Sequence, residues 1–145
     1  MAESTPLVLS PQEAEAIRRL SEAVRRDGRW DWEREAASKT SGVPVYADMG
    51  GVLVVRSDGV VLLIESNRGV VEEVREERWI LVARQEAALK YPELKGLMPV
   101  RPEGATDCQE CAGHGSVNPF KKVEQDIRCG VCCGMGWLKV PTQRL

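Results

Sequence analysis

The sequence predicts an α+β fold: a small antiparallel sheet with two helices, followed by a cysteine-rich β-hairpin module at the C-terminus. Three observations carry this. Apolar residues recur at helical spacing over 12–26 and 77–91, β-branched runs flank Asp58-Gly59, and all five cysteines fall between Cys108 and Cys133. A length of 145 residues fits one domain with a small appendage. Pro99, Pro102 and Gly104 mark a stiff linker after which the composition changes, so the expected units are a body over 1–104 and a module over 105–145.

Residues 1–9 read as a short arm. Ser10-Pro11-Gln12-Glu13 then starts a helix: Ser10 can cap, Glu13 can reach back to the cap N–H, and Pro11 sits where a missing N–H costs nothing. Ile17, Leu20 and Val24 form its packing face, Arg18, Glu22 and Arg26 its wet one, and Gly28 ends it. Trp30 and Trp32 follow, with a short polar stretch running to Ser41.

Gly42-Val43-Pro44 leads into an extended segment, Val45 to Ala47. The runs Val52–Val55 and Val60–Ile64 around Arg56-Ser57-Asp58-Gly59 read as a β-hairpin. Both runs are apolar on both faces, which predicts strands inside a sheet with something packed over them. Val70 to Val74 is a candidate third strand after the turn at Asn67-Arg68-Gly69. From Glu77 to Tyr91 the period is helical, with Ile80, Ala83, Ala87 and Tyr91 on one side, and Pro92 stops it. Leu94, Leu97 and Met98 are expected to lay an irregular segment across the core.

The formal charge is −2. Residues 108–145 carry five basic side chains (Lys121, Lys122, Arg128, Lys139, Arg144) against Glu110, Glu124 and Asp126, a balance of +2 that leaves −4 on the rest. Neither part has the dense basic face that phosphate binding needs, which disfavours nucleic acid as a partner. The apolar run Val60–Ile64 is far too short to span a bilayer. The first helical stretch is rich in Glu and Arg, unlike a secretory leader. A cytoplasmic protein is expected, with no membrane association. The acidic run Glu72, Glu73, Glu76 and Glu77 reads as a solvated helix start favoured by the helix dipole.

The cysteines carry the chemistry. Cys108-Gln109-Glu110-Cys111-Ala112-Gly113-His114-Gly115 and Cys129-Gly130-Val131-Cys132-Cys133-Gly134-Met135-Gly136 both read Cys-x-x-Cys-x-Gly-x-Gly. Two cysteines three apart on a tight turn can aim both sulfurs at one ion, and the glycines admit positive φ and let backbone N–H groups approach the thiolates. Two such turns supply the four ligands of a closed tetrahedral site. Clustered cysteines argue against a distributed disulfide framework. Buried reduced thiols packing as small hydrophobes are one other reading. A redox pair at Cys129 and Cys132 is another, although redox Cys-x-x-Cys pairs open a helix and Gly134 and Gly136 break one.

The two elements resemble half of the cysteine-rich zinc domain of DnaJ-type chaperones, in which two repeats together hold one zinc. The resemblance covers about the last quarter of the chain. It implies one structural Zn2+ per chain, with Cys108, Cys111, Cys129 and Cys132 as ligands. The helix-His-Pro-Asp-helix signature of those chaperones is absent, since the single histidine, His114, is followed by Gly115. Cys133 is out of register with the pair and is expected to be a packed or half-exposed thiol, and His114 to face solvent or a backbone partner. Met135 and Trp137 are expected to cover the site. Residues 43–98, with an extended lead-in from Pro44 to Gly51, a hairpin at Asp58-Gly59, a helix and then Pro92-Glu93-Leu94, are similar in order to the later part of the SUKH superfamily, many of whose members are immunity proteins against bacterial toxins.

Four cysteine ligands would close a zinc ion to substrate, and no base stands beside a nucleophile, so no enzyme is expected. The expected role is a non-catalytic, zinc-binding protein-interaction protein whose partner is a protein, with a toxin-binding immunity protein as its specific form. The alternatives are a chaperone-like or adaptor protein gripping clients with the zinc knuckle, and a thiol oxidoreductase.

Overall fold

The computed structural model describes residues 7–48, 50–66, 68–101, 103–117, 127–129, 132 and 134–138. The chain divides into two compact units, Met1–Met98 and Pro99–Leu145, parting at the first proline of the linker. The fold is α+β with an antiparallel sheet.

Helix α1 spans Pro11–Asp27. Its capping box is complete: Glu13 N–H donates to Ser10 Oγ and Ser10 N–H to Glu13 Oε1, both at 3.0 Å. Gly28 closes the helix by donating to the Val24 carbonyl at 2.8 Å. Ala16, Ile17 and Ser21 are buried, while Arg18, Glu22 and Arg26 face water.

The polar stretch after Trp30 is a second helix, α2, Asp31–Thr40, which the apolar pattern does not show. Its buried stripe is Glu33, Ala36, Ala37 and Thr40, spaced at helical intervals but made of one carboxylate, two small residues and a hydroxyl. Thr40 Oγ1 donates to the Ala36 carbonyl at 2.7 Å and accepts from Gly42 N–H at 3.1 Å. Ser41, with φ 60°, terminates the helix in the left-handed region.

Four strands follow, β1 Val43–Asp48, β2 Gly51–Val55, β3 Val61–Glu65 and β4 Val71–Glu73, paired antiparallel in chain order. Asp58-Gly59 turns the chain between β2 and β3: Arg56 N–H bonds Val60 O at 3.0 Å, Gly59 N–H bonds Arg56 O at 2.9 Å, and Gly59 adopts φ 87°. The Arg56 guanidinium bonds the Asp58 carboxylate and holds it below its usual range. Val54 pairs with Leu62 and Val52 with Ile64, placing these four on one face, which Ala36 of α2 covers. Leu53 pairs with Leu63 on the other face. A bulge between Pro44 and Tyr46 shifts the β1 register.

Helix α3, Glu77–Lys90, buries Val82, Ala83, Ala87 and Ala88. Of the expected side, Ala83, Ala87 and Tyr91 are buried and Ile80 is half-buried, while Val82 joins the stripe from its flank. The acidic run is also divided: Glu72 and Glu73 lie in β4, and only Glu77 is in the first turn of α3. Lys90 Nζ meets the buried Glu33 carboxylate at 2.7 Å, tying α3 to α2. Tyr91 donates to the Pro44 carbonyl at 2.9 Å, and burial, followed by the charges of Glu33 and Glu93, raises its pKa and keeps it a donor. A 3-10 turn, Pro92–Leu97, then drives Leu94 and Leu97 into the core.

Among the described residues of the C-terminal unit, four two-residue strands form two separate ladders. β5 Thr106–Asp107 pairs with β8 Trp137–Leu138, and β6 Ser116–Val117 with β7 Ile127–Arg128. One cysteine knuckle lies between β5 and β6 and the other between β7 and β8. Among the described residues, no helix is long and apolar enough to cross a membrane.

Candidate metal centre

Each knuckle is a backbone device before it is a sulfur device. In the first, Gly113 N–H donates to Cys108 O at 2.9 Å and His114 N–H to Cys111 O at 3.0 Å. In the second, Gly134 N–H donates to Cys129 O at 3.2 Å and Met135 N–H to Cys132 O at 3.1 Å. The knuckles are then tied to each other: Cys108 N–H bonds Gly136 O and Cys129 N–H bonds Gly115 O, each at 3.0 Å. Each of these six bonds has its counterpart in the opposite knuckle, so the duplicated sequence pattern becomes a local two-fold arrangement.

The glycines at the ends of the motif are required by geometry. Gly115 and Gly136 adopt φ of 81° and 83°. A Cβ on Gly115 would lie 2.6 Å from the Gly134 carbonyl oxygen, and one on Gly136 the same distance from that of Gly113. The space a side chain would need is filled by the opposite knuckle. Ala112 also has positive φ, 54°, a strained position for a residue with a Cβ.

The four sulfurs of Cys108, Cys111, Cys129 and Cys132 lie within 4.8 Å of one another, and all four residues are buried. Cys108 Sγ is 3.8 Å from Cys129 Sγ, and Cys111 Sγ is 3.7 Å from Cys132 Sγ. Disulfide bonds are about 2 Å long, so these are free thiols in contact. A tetrahedron of metal–sulfur bonds of about 2.3 Å has sulfur–sulfur edges of about 3.8 Å, which the two cross-knuckle distances match. The cluster can hold a metal ion.

Donors around the sulfurs favour thiolates. Gly115 N–H points at Cys111 Sγ and Gly136 N–H at Cys132 Sγ, each at 3.1 Å. Burial opposes ionisation of Cys111, but the Gly115 N–H and the sulfurs of Cys132, Cys108 and Cys129 outweigh it and hold the thiol down to about 7. Burial pushes Cys132 up to about 12; the Gly136 N–H offsets only part of this, and Cys111 adds to the rise. The second thiolate is thus costly beside the first unless a cation is present. A divalent ion supplies that charge and binds the thiolate form outright.

Met135 packs against the cluster, and Trp137 is half-buried in β8. His114 is exposed and stands outside the sulfur group, engaged through its backbone. Cys133 lies outside the described residues, as do Lys121 and Lys122 of the basic balance. One neighbour is invisible in the sequence: Arg101 holds Asp107 at 2.6 Å and the Ala105 carbonyl at 2.9 Å, bracing the strand that feeds the first knuckle. An arginine in the linker and an aspartate six residues on in β5 share no periodic signal, so nothing in the pattern marks this pair.

No protein-family model matches the chain, and no curated protein or solved structure matches it.

Proposed function

We propose that the chain is a non-catalytic protein-interaction protein whose C-terminal unit is held by one structural zinc ion. The observation that carries this is the closed set of four buried cysteines, brought together by two interlocked knuckles. Cys108, Cys111, Cys129 and Cys132 would hold the ion. It would supply cross-linking and charge neutralisation, with no coordination position left for a substrate. The body then takes the recognition role, and its partner is another protein. The specific form of the reading is a bacterial immunity-type protein that binds a toxin. Its support is the order of elements over residues 43–98 and the acidic balance of the chain outside 108–145.

Elemental analysis with a thiol count on protein purified without added metal tests the centre. One zinc per chain with four protected thiols is expected. Iron in its place would correct the metal. A metal-free chain with a disulfide between Cys129 and Cys132 would overturn the structural role and favour a thiol oxidoreductase. Binding to a toxin-like protein encoded beside this chain tests the partner. Suppression of client aggregation in the absence of such binding would favour the chaperone-like alternative.

A further inference from the structure

A cleft of about 450 Å3 opens on the body where the Leu53 and Leu63 face of the sheet meets the start of α3. That size lies within the range of about 300–1,000 Å3 typical of ligand sites. Leu53 and Leu63 form its apolar floor, and Tyr46 and Trp79 contribute aromatic walls. The rim is acidic, with Asp48, Glu72 and Glu76 all exposed on it. Glu73 is engaged by Arg75, 3.9 Å away, whereas no ion pair among the described residues involves Glu72 or Glu76. The lining carries four carboxylates (Asp48, Glu72, Glu73, Glu76) against one cation, Arg75. An apolar floor with aromatic walls and an acidic excess is complementary to a flat, weakly hydrated cation: a guanidinium can stack on the rings while its N–H fork meets the carboxylates. Arg78 already lies 5.4 Å from the Trp79 ring centroid, an intramolecular example of that contact.

The surroundings of the cleft favour a chain segment over a free small cation. β4 is one of the two edge strands of the sheet, and among the described residues no strand pairs on its outer side. Glu65 N–H bonds Val70 O and Val74 N–H bonds Val61 O, so antiparallel alternation turns the Val71 N–H and C=O away from β3. Glu72, paired with Leu63, shares the face of the cleft floor. An extended strand laid beside β4 can therefore bond this edge while its alternate side chains reach the cleft.

We propose that this cleft receives an arginine side chain from an extended basic segment of a partner protein. The proposal rests on the protein-binding reading above and names the chemistry of the partner. The test is fluorescence anisotropy with the full chain and a labelled, end-blocked peptide of alternating arginine and leucine. Binding that weakens with salt is expected, with the lysine counterpart weaker and the glutamate counterpart not bound. Glu72→Gln with Glu76→Gln should lower affinity about tenfold, the scale of charge-assisted hydrogen bonds. Glu15→Gln with Glu22→Gln, on exposed carboxylates of α1, should leave it nearly unchanged. Amide shifts at Tyr46, Leu63 and Trp79 would place the peptide. No binding of the arginine peptide, equal loss in both double variants, or shifts elsewhere would each overturn the proposal. A protein partner whose binding ignores Glu72→Gln and Glu76→Gln would sink the cleft and keep the protein-binding reading. A bound peptide with no protein partner would do the reverse.

Discussion

The two units of this chain solve the same problem by different means. The body closes around Ile17, Val54, Val55, Val82 and Leu94, side chains fully removed from water and drawn from α1, β2, α3 and the 3-10 turn. The buried cluster of the C-terminal unit is four sulfurs with Met135 against them. Its described strands are two residues long, and each ladder offers two residue pairs. Burial of apolar area can drive the first unit, at about 25 cal/mol per Å2. Among its described residues the second buries little beyond those sulfurs, and the proposed zinc ion would supply its free energy of folding.

This contrast can be broken from either side. The largest effect is expected from Cys111→Ser or from strong chelation. Structural zinc sites contribute on the order of 10–16 kcal/mol, so the knuckles should lose protection from proteolysis and hydrogen exchange. The body should keep its thermal transition. A tail equally protected without metal would show that packing holds it. The converse variant is Leu94→Ala, which should destabilise the body by about 2–5 kcal/mol in denaturant while metal content stays unchanged. Loss of metal in that variant would mean that the two units fold as one.

Smaller changes sharpen the picture of the knuckles themselves. Gly115→Ala places a methyl 2.6 Å from the Gly134 carbonyl oxygen and strains φ. Displacing a donor to the Cys111 sulfur should lower metal affinity about 10–100-fold, measured by chelator competition. Wild-type affinity in this variant would remove the N–H···S contact from the account. The smallest expected effect has the opposite sign. Ala112→Gly relieves a left-handed residue and should stabilise the holo tail by about 1 kcal/mol at most, since glycine also frees the unfolded chain.

The cysteine cluster is legible in the sequence to an unusual degree. Cys108, Cys111, Cys129 and Cys132, which the fold gathers into one cluster, are named by a spacing that repeats, because the geometry of a tight turn depends on residues only a few positions apart. The same locality makes α1 readable from Ser10, Pro11 and Glu13, and the β2–β3 hairpin from Asp58-Gly59. Helix α2 shows where this stops. Its inward stripe of Glu33, Ala36, Ala37 and Thr40 looks polar until Lys90, fifty-seven residues away, neutralises the carboxylate.

By itself, then, the sequence determined the two knuckles and their four cysteines, the capped first helix, the hairpin and the end of α3, all set by short-range rules of turns, caps and period. Only the tertiary structure decided that Glu33 could be buried and that α3 turns Val82 inward. The same holds for the divided acidic run, which leaves Glu72 at the rim of a cleft floored by Leu53 and Leu63. These depend on which distant surfaces meet. A buried charge or a concave site exists only once its partner from elsewhere in the chain has been brought beside it.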